Sequence, residues 1–218
     1  MMMALILVGY ILGSIPTGYI TVRIMTGRDV RTIQSGPTGG TNAMRGAGIK
    51  AGLITAFGDV SKAIIAVWLA KLFFPEVPLL HVLVGLAAVI GHNYSLFLIE
   101  RKDGTLKFGG GAGGAPTVGA AVGLWAPIGL IMIPVGALIL FLVGYASVTT
   151  MTAGITATIV FLLRGLAGAD PMVYLLFGLC AEILLLWALR PNIKRLIAGE
   201  ERLVGLRAKN FEGHKASH

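Results

Sequence analysis

Residues 35–45 form a glycine- and hydroxyl-rich segment that ends in an arginine and has the sequence Ser-Gly-Pro-Thr-Gly-Gly-Thr-Asn-Ala-Met-Arg. Small side chains leave backbone N–H groups accessible, and the planar guanidinium of Arg45 can pair bidentately with phosphate oxygens. The segment therefore predicts a phosphate-binding loop. Two structural alternatives stay open: Arg45 can extend to a membrane interface, and Ser35 can cap the following turn.

A second segment of this kind, residues 108–117, has the sequence Phe-Gly-Gly-Gly-Ala-Gly-Gly-Ala-Pro-Thr. So many glycines at the entrance of a helix lose conformational entropy without packing in return, which favours a functional reason for them. We expect backbone N–H donors ahead of a helix N-terminus, although a flexible linker has the same composition. No Gly-Lys-Ser/Thr follows, so the segment is not a Walker loop.

The composition places both segments on a membrane scaffold. The chain has 218 residues, of which 56% are hydrophobic and only 13% are charged. Soluble domains contain about 25% charged residues, so we expect a polytopic membrane protein. The lone Cys180 excludes an internal disulfide. No second histidine or carboxylate stands at metal-ligand spacing from His92, so neither a metal nor another cofactor is expected.

Apolar runs long enough to cross a bilayer, about 20 residues each, predict an all-α integral membrane protein. The 29-residue run 115–143 contains Pro127 and Pro134, and we divide it near Trp125–Pro127 because proline removes a helical hydrogen bond. The apolar runs then give seven spans: Met2–Ile24, Ala51–Phe73, Leu79–Ile99, the two parts of 115–143, Ala146–Leu163 and Met172–Leu189.

Two charged residues lie inside the second of these spans. Asp59 and Lys62 are one helical turn apart and are expected to pair.

The basic residues orient these spans. Five of the 18 Lys and Arg residues lie in segment 23–50, three in 101–107 and seven from residue 190 onward. Seven spans with an external N-terminus put all three segments on the cytoplasmic side, as the positive-inside rule requires. The C-terminus is then cytoplasmic too. The formal net charge of +8 is explained by anionic lipid and substrate, so no nucleic acid partner is expected.

The motifs resemble those of the bacterial, acyl-phosphate-dependent glycerol-3-phosphate acyltransferases of the PlsY type. The similarity extends over residues 13–202 with the blocks in family order. They are Gly13-Ser-Ile-Pro16, Gly27-Arg-Asp-Val-Arg31, the segment Ser35 to Arg45, Asp59 with Lys62, Gly91-His92-Asn93-Tyr94, the glycines of 109–114, Tyr145 with Ser147, and Asn192 to Glu201.

The resemblance implies transfer of a fatty acyl group from acyl phosphate to the 1-hydroxyl of sn-glycerol 3-phosphate, giving lysophosphatidate and phosphate. It implies a multi-pass protein of the bacterial inner membrane with a cytoplasmic active site, membrane lipids around it, and other phospholipid-synthesis enzymes as partners. The acyltransferase domain would be residues 1–202, followed by a cytoplasmic tail, 203–218, for which the sequence favours disorder. Implied catalytic residues are Ser35, Arg45, His92 and Asn192. Implied substrate-binding residues are Gly36, Gly39, Gly40, Thr41, Asn42, Lys107, Gly109, Gly110, Gly111, Gly113, Gly114, Arg195 and Glu201.

Four positions depart from the family pattern. Pro37, Gly40 and Leu189 stand where the family has Asn, Ala and His, and Ala112 replaces the lysine of its Gly-Gly-Lys-Gly loop. We expect Lys107, five residues earlier, to supply the missing cation. Two alternatives to an active enzyme stay open, a catalytically impaired lipid-binding relative and a small transporter.

Overall fold

The computed structural model describes residues 1–33, 36–102 and 104–204, and this part of the chain is mostly helical. Short 3₁₀ turns occupy Val30–Thr32, Leu96–Leu98 and Ala126–Ile128. The helices are α1 (Met2–Ser14), α2 (Thr17–Thr26), α3 (Gly40–Phe73), α4 (Pro78–Asn93), α5 (Gly114–Leu124), α6 (Gly129–Val143), α7 (Ala146–Leu166), α8 (Tyr174–Ala188) and α9 (Arg190–Ile197).

The first apolar run is broken, and the second helix begins earlier than the sequence predicts. The run ends as a straight helix at Ser14 because Pro16 lacks an N–H and α2 starts after it. Helix α3 starts at Gly40 instead of Ala51, with non-helical backbone at Ala47 and Gly48 inside it. Residues 40–45 are therefore a helical turn and not loop, which corrects the prediction from glycine content.

The division of the long apolar run is confirmed, since α5 ends at Leu124 and α6 begins at Gly129. Five helical stretches are long and apolar enough to cross a membrane, and α8 with α9, bent by 67°, makes a sixth. At 11 residues α5 falls short of that length. Its end nevertheless lies beside the ends of two longer helices: Lys71 donates to the Leu124 carbonyl, and the Arg164 guanidinium lies 3.7 Å from the Trp125 ring centroid.

A two-stranded antiparallel hairpin interrupts the helices, which corrects the all-α expectation. Strands β1 (Ile99–Lys102) and β2 (Thr105–Phe108) pair with Ile99 opposite Phe108 and Glu100 opposite Lys107. Its base is joined to the second glycine segment, since Gly109 N–H donates to Leu98 O at 3.0 Å.

Small residues allow the helices to approach closely. A Cβ at Gly13 would lie 2.1 Å from the Ala88 carbonyl oxygen, and one at Gly91 would lie 2.2 Å from that of Tyr10. Helices α1 and α4 therefore pack backbone against backbone, as small-residue contacts in membranes permit. Behind them, α7 and α8 bury Phe161 and Phe177 edge to face, with ring centroids 6.4 Å apart. Helix α3 packs against both α4 and α5, which fixes the ends of these three helices relative to one another.

Candidate active site

A cavity of about 320 Å³ lies where α3 and α5 begin and α8 gives way to α9. It brings together both glycine-rich segments, the histidine of α4 and the C-terminal block. Its lining comprises Pro37, Gly39, Gly40, Thr41, Asn42, Met44, Arg45, Ile49, Gly52, Leu53, Ala56, Asp59, His92, Ala112, Gly113, Gly114, Ala115, Leu140, Ala146, Ser147, Thr150, Leu189, Asn192 and Glu201.

Two helix N-termini meet at this cavity. Helix α3 begins at Gly40 after extended backbone at Gly39, and α5 begins at Gly114 after a left-handed Gly113 with φ of 92°. The first-turn N–H groups of a helix have no acceptor within it, and the helix dipole places partial positive charge there. The cavity wall is therefore suited to phosphate at two points.

Arg45 adds a full positive charge. It lies in the second turn of α3, lines the cavity, is partly buried, and forms no salt bridge within the described part of the chain. The kink at Ala47–Gly48 follows directly and separates this helical start from the membrane-spanning part of α3. An anion in the cavity would therefore meet, beside two helix ends, a guanidinium that pairs with no carboxylate of the described residues.

Asn42 organises the first segment from within. Its buried side-chain amide lies within donor distance of three carbonyls, those of Val30 (3.0 Å), Ile33 (3.1 Å) and Pro37 (2.8 Å). Its Oδ1 is buried and has no hydrogen-bond partner among the described residues. The amide nitrogen thus holds the chain that enters α3, and only the oxygen is left for another group.

The turn before this segment is held by an ion pair. Arg31 donates from Nη2 and Nε to Asp29 at 2.6 and 3.0 Å, which lowers the pKa of Asp29 and raises that of Arg31. Both side chains are therefore charged at neutral pH. Arg31 also pairs with Glu100 of the hairpin.

The glycines of the second segment divide into two groups. Gly109 and Gly111 donate their N–H groups to Leu98 and His92 carbonyls, both at 3.0 Å. A Cβ at Gly110 would lie 2.3 Å from Asn93 O, and one at Gly111 would lie 2.1 Å from His92 Nε2. Gly110 and Gly111 pass against the end of α4, and Gly109 passes against Leu98 of the 3₁₀ turn, so none of the three has room for a side chain. Only Gly113 and Gly114 line the cavity.

His92 belongs to a buried charged cluster. Its Nδ1 lies 3.1 Å from Lys62 Nζ and 3.2 Å from Asp59 Oδ1. Lys62 Nζ lies 2.7 Å from Asp59 Oδ1 and donates to Ile15 O at 2.8 Å, and Thr17 donates to Asp59. The pairing of Asp59 with Lys62 is confirmed.

The C-terminal block closes the cavity around Glu201. Asn192 Nδ2 donates to Glu201 Oε1 at 2.9 Å, and Arg195 Nε donates to Oε2 at 3.1 Å. Ser147 Oγ, at the start of α7, lies 3.5 Å from the same carboxylate. Asn192 and Glu201 face the cavity, whereas Arg195 lies behind them and orients Glu201.

Several predicted site residues lie elsewhere. Lys107 is exposed on β2 and does not line the cavity, and neither does Gly36, a left-handed glycine whose N–H donates to Ile33 O at 3.1 Å. Ser35 falls outside the described residues. In the described ranges, no three His, Cys, Asp or Glu side chains lie close enough together to hold a metal ion.

Sequence reasoning missed two features of the cavity. Asp59 lines it and, with Lys62, contacts His92, whereas the sequence predicted a structural pair without a contact to His92. The sequence gives no local signal of this contact, because Lys62 and His92 are 30 residues apart and lie on different helices. Ser147 was visible only as part of a later family block.

The fold is that of an integral membrane protein with a polar cavity, and comparisons with known proteins place it among acyltransferases. Residues 3–199 match the family model described as glycerol-3-phosphate acyltransferase. The glycerol-3-phosphate acyltransferase of Rubrobacter xylanophilus is 35% identical over 204 residues, covering 94% of this chain and 96% of its own. That of one Thermus thermophilus strain is 37% identical, with the same coverage of both chains.

Solved structures show the same relationship. PlsY, an integral membrane glycerol 3-phosphate acyltransferase, superimposes in its glycerol 3-phosphate form with a TM-score of 0.80 and 30% identity, over 96% of this chain and 98% of its own. Its lysophosphatidic acid form gives a TM-score of 0.76 at 29% identity over the same shares of both chains. This chain belongs to the glycerol-3-phosphate acyltransferase family.

Proposed function

We propose that this chain transfers a fatty acyl group from acyl phosphate to the 1-hydroxyl of glycerol 3-phosphate. The observation that carries the proposal is the convergence of two helix N-termini and the Arg45 guanidinium on one cavity. Both substrates contain a phosphate, and each helix end offers one a set of N–H donors. Solved structures of the similar PlsY include glycerol 3-phosphate and lysophosphatidic acid forms.

The chemistry needs positioning more than a nucleophile. The hydroxyl oxygen forms a C–O bond to the acyl carbon, the bond from that carbon to the phosphate oxygen breaks, and phosphate leaves. Acyl phosphate is already an activated mixed anhydride, so alignment and charge stabilisation supply the rate enhancement. The hydroxyl proton goes to the departing phosphate, which gives hydrogen phosphate and lysophosphatidate.

The acyl chain of the donor would lie along one wall of the cavity. Ile49, Leu53 and Leu140 line that wall, and Ile49 and Leu53 are 66% and 65% exposed. Side chains that are both exposed and apolar on a membrane-spanning helix face lipid. An acyl chain could therefore enter from the bilayer while its phosphate rests at the helix ends.

We assign His92 as a hydrogen-bond donor and not as the base. Lys62 has three protons and three acceptors within reach: Ile15 O, Asp59 Oδ1 and His92 Nδ1. Asp59 Oδ1 already accepts from Lys62 and Thr17, which fills its two lone pairs. His92 Nδ1 therefore accepts from Lys62, and the proton of the neutral ring is on Nε2. From there it can donate to the developing oxyanion or to a phosphate.

The deciding experiment uses purified protein in lipid nanodiscs with labelled glycerol 3-phosphate and three acyl donors: acyl phosphate, acyl coenzyme A and acylated carrier protein. We expect lysophosphatidate and phosphate in equal amounts from acyl phosphate alone, measured by mass spectrometry and phosphate release. Equal turnover with a thioester donor would contradict the proposed donor. No turnover with any donor, in protein that still binds lysophosphatidate, would favour the impaired lipid-binding relative.

A further inference from the structure

The hairpin β1–β2 has two unlike faces. Residues paired across an antiparallel ladder share a face, so Ile99 and Phe108 lie on one side together with Arg101 and Leu106. Glu100 and Lys107 lie on the other side. The first face is apolar apart from one arginine, whereas the second carries charges of both signs.

The polar face contacts the rest of the protein through Glu100, although Glu100 and Lys107 are both exposed. Glu100 forms a salt bridge with Arg31, which is itself held by Asp29 and lies 5.1 Å from the ring centroid of Tyr19. The apolar face must therefore point away from that contact. Its side chains are exposed: Leu106 by 66%, Phe108 by 48% and Ile99 by 36%.

The position of the hairpin identifies what covers this face. The membrane-spanning stretch that contains α4 ends at Leu98, and β1 begins at the next residue. Leu96 and Phe97, at the end of that stretch, are exposed apolar side chains as well, so the lipid-facing surface continues onto the hairpin. At this depth lipid phosphates lie beside acyl chains, which complements an apolar face carrying Arg101.

We propose that the face formed by Ile99, Arg101, Leu106 and Phe108 rests in the headgroup region of the bilayer, with its apolar side chains among the acyl chains and Arg101 on anionic lipid phosphate. The base of the hairpin is bonded to the second glycine segment, since Gly109 contacts both Leu98 and Ser95 through backbone hydrogen bonds of 3.0 and 2.9 Å. Lipid contact thus anchors the segment that leads to the start of α5.

The test uses nitroxide labels on single cysteines in a Cys180→Ala background, in nanodiscs containing phosphatidylglycerol. Labels at 106 and 108 report the apolar face, and a label at 107 on the opposite face is the matched control. Collision rates with oxygen and with a water-soluble nickel chelate measure depth. We expect the ratio of oxygen to nickel collisions to be at least fivefold higher at 106 and 108 than at 107.

Other results would overturn the proposal. Equal ratios at all three positions would place the hairpin in water. Low collision rates with both reagents at 106 and 108 would mean that protein, such as a second copy of this chain, covers the face. If the label at 106 prevents folding, position 108 alone still decides between these outcomes. In an Arg101→Glu background we expect the ratio of oxygen to nickel collisions at 106 to fall at least twofold. An unchanged ratio would contradict the proposed contact of Arg101 with anionic lipid.

Discussion

The backbone N–H of Thr38 donates to the carbonyl oxygen of Gly110 at 3.0 Å, which joins the two glycine-rich segments directly. The segments are 72 residues apart in sequence, and each leads into a helix whose first turn lines the cavity. This hydrogen bond thus links the segments that lead into two helix N-termini, the proposed phosphate sites. A reaction between two phosphate-bearing substrates needs a fixed separation between such sites.

Arg45 should be essential for turnover. Arg45→Ala is expected to lower kcat/KM about 10²–10³-fold, as removal of a preorganised donor commonly does. Arg45→Lys should recover little, because a lysine presents a point charge in place of a planar fork. Steady-state kinetics with both substrates varied will measure this, and thermal unfolding will show whether the fold is retained. Wild-type efficiency in Arg45→Lys would contradict a bidentate contact.

His92 can be tested as a donor by comparing two substitutions. His92→Gln keeps an N–H near the position of Nε2, whereas His92→Ala removes it. We expect the alanine variant to lose about 10²-fold in kcat and the glutamine variant to retain most of the activity. The pH profile of kcat/KM provides a second readout, since glutamine cannot titrate. If His92 is the base, both variants fail equally and the wild type has an acid limb that neither variant shows.

Ala112 lines the cavity where family members have a lysine, and Lys107 lies on the exposed hairpin. Ala112→Lys should therefore lower KM for one phosphorylated substrate about tenfold, because a charged donor to phosphate is worth about 1.5–3 kcal/mol. Lys107→Ala tests whether Lys107 supplies the positive charge instead, and we expect it to leave KM unchanged. A rise in KM in Lys107→Ala, reversed by adding Ala112→Lys, would show that Lys107 reaches the substrate.

The features of the structure that could be predicted from sequence were those with a strong chemical or periodic signal. The apolar runs, the break near Trp125 and the clustering of glycines each follow from residue type alone. The start of α3 at Gly40 does not, because glycine and threonine have low helix propensity and the helix there depends on Asn42 bonding the preceding chain. The contact of Lys62 with His92 depends on how α3 and α4 cross, which no local pattern specifies.

The orientation of the chain in the membrane can be tested with single cysteines predicted to lie on opposite sides of the bilayer. Helix α5 starts at the cavity and ends beside Lys71 and Arg164, so the hypothesis under test counts it as a seventh span. In a Cys180→Ala background, cysteines replacing Arg28 and Lys107 should react only after the cytoplasmic membrane is permeabilised. Cysteines replacing Glu76 and Ala169 should react with an impermeant maleimide in intact cells. Labelling of position 28 from outside would reverse the proposed topology.

The packing of α1 against α4 gives the sharpest test of stability. Gly13→Ala places a methyl group 2.1 Å from the Ala88 carbonyl oxygen and 2.7 Å from its carbonyl carbon, and neither atom can move without shifting α4. Overpacking typically costs about 1–3 kcal/mol, and a clash with backbone should reach the upper end. Gly136→Ala in α6 is the matched control, since its new methyl group would meet only Thr149 Cγ2 at an ordinary 3.7 Å. Thermal unfolding in detergent should show a lower transition temperature for Gly13→Ala and an equal or higher one for Gly136→Ala, because alanine is the better helix former. If both variants unfold at the wild-type temperature, α1 and α4 do not approach as closely as the structure shows.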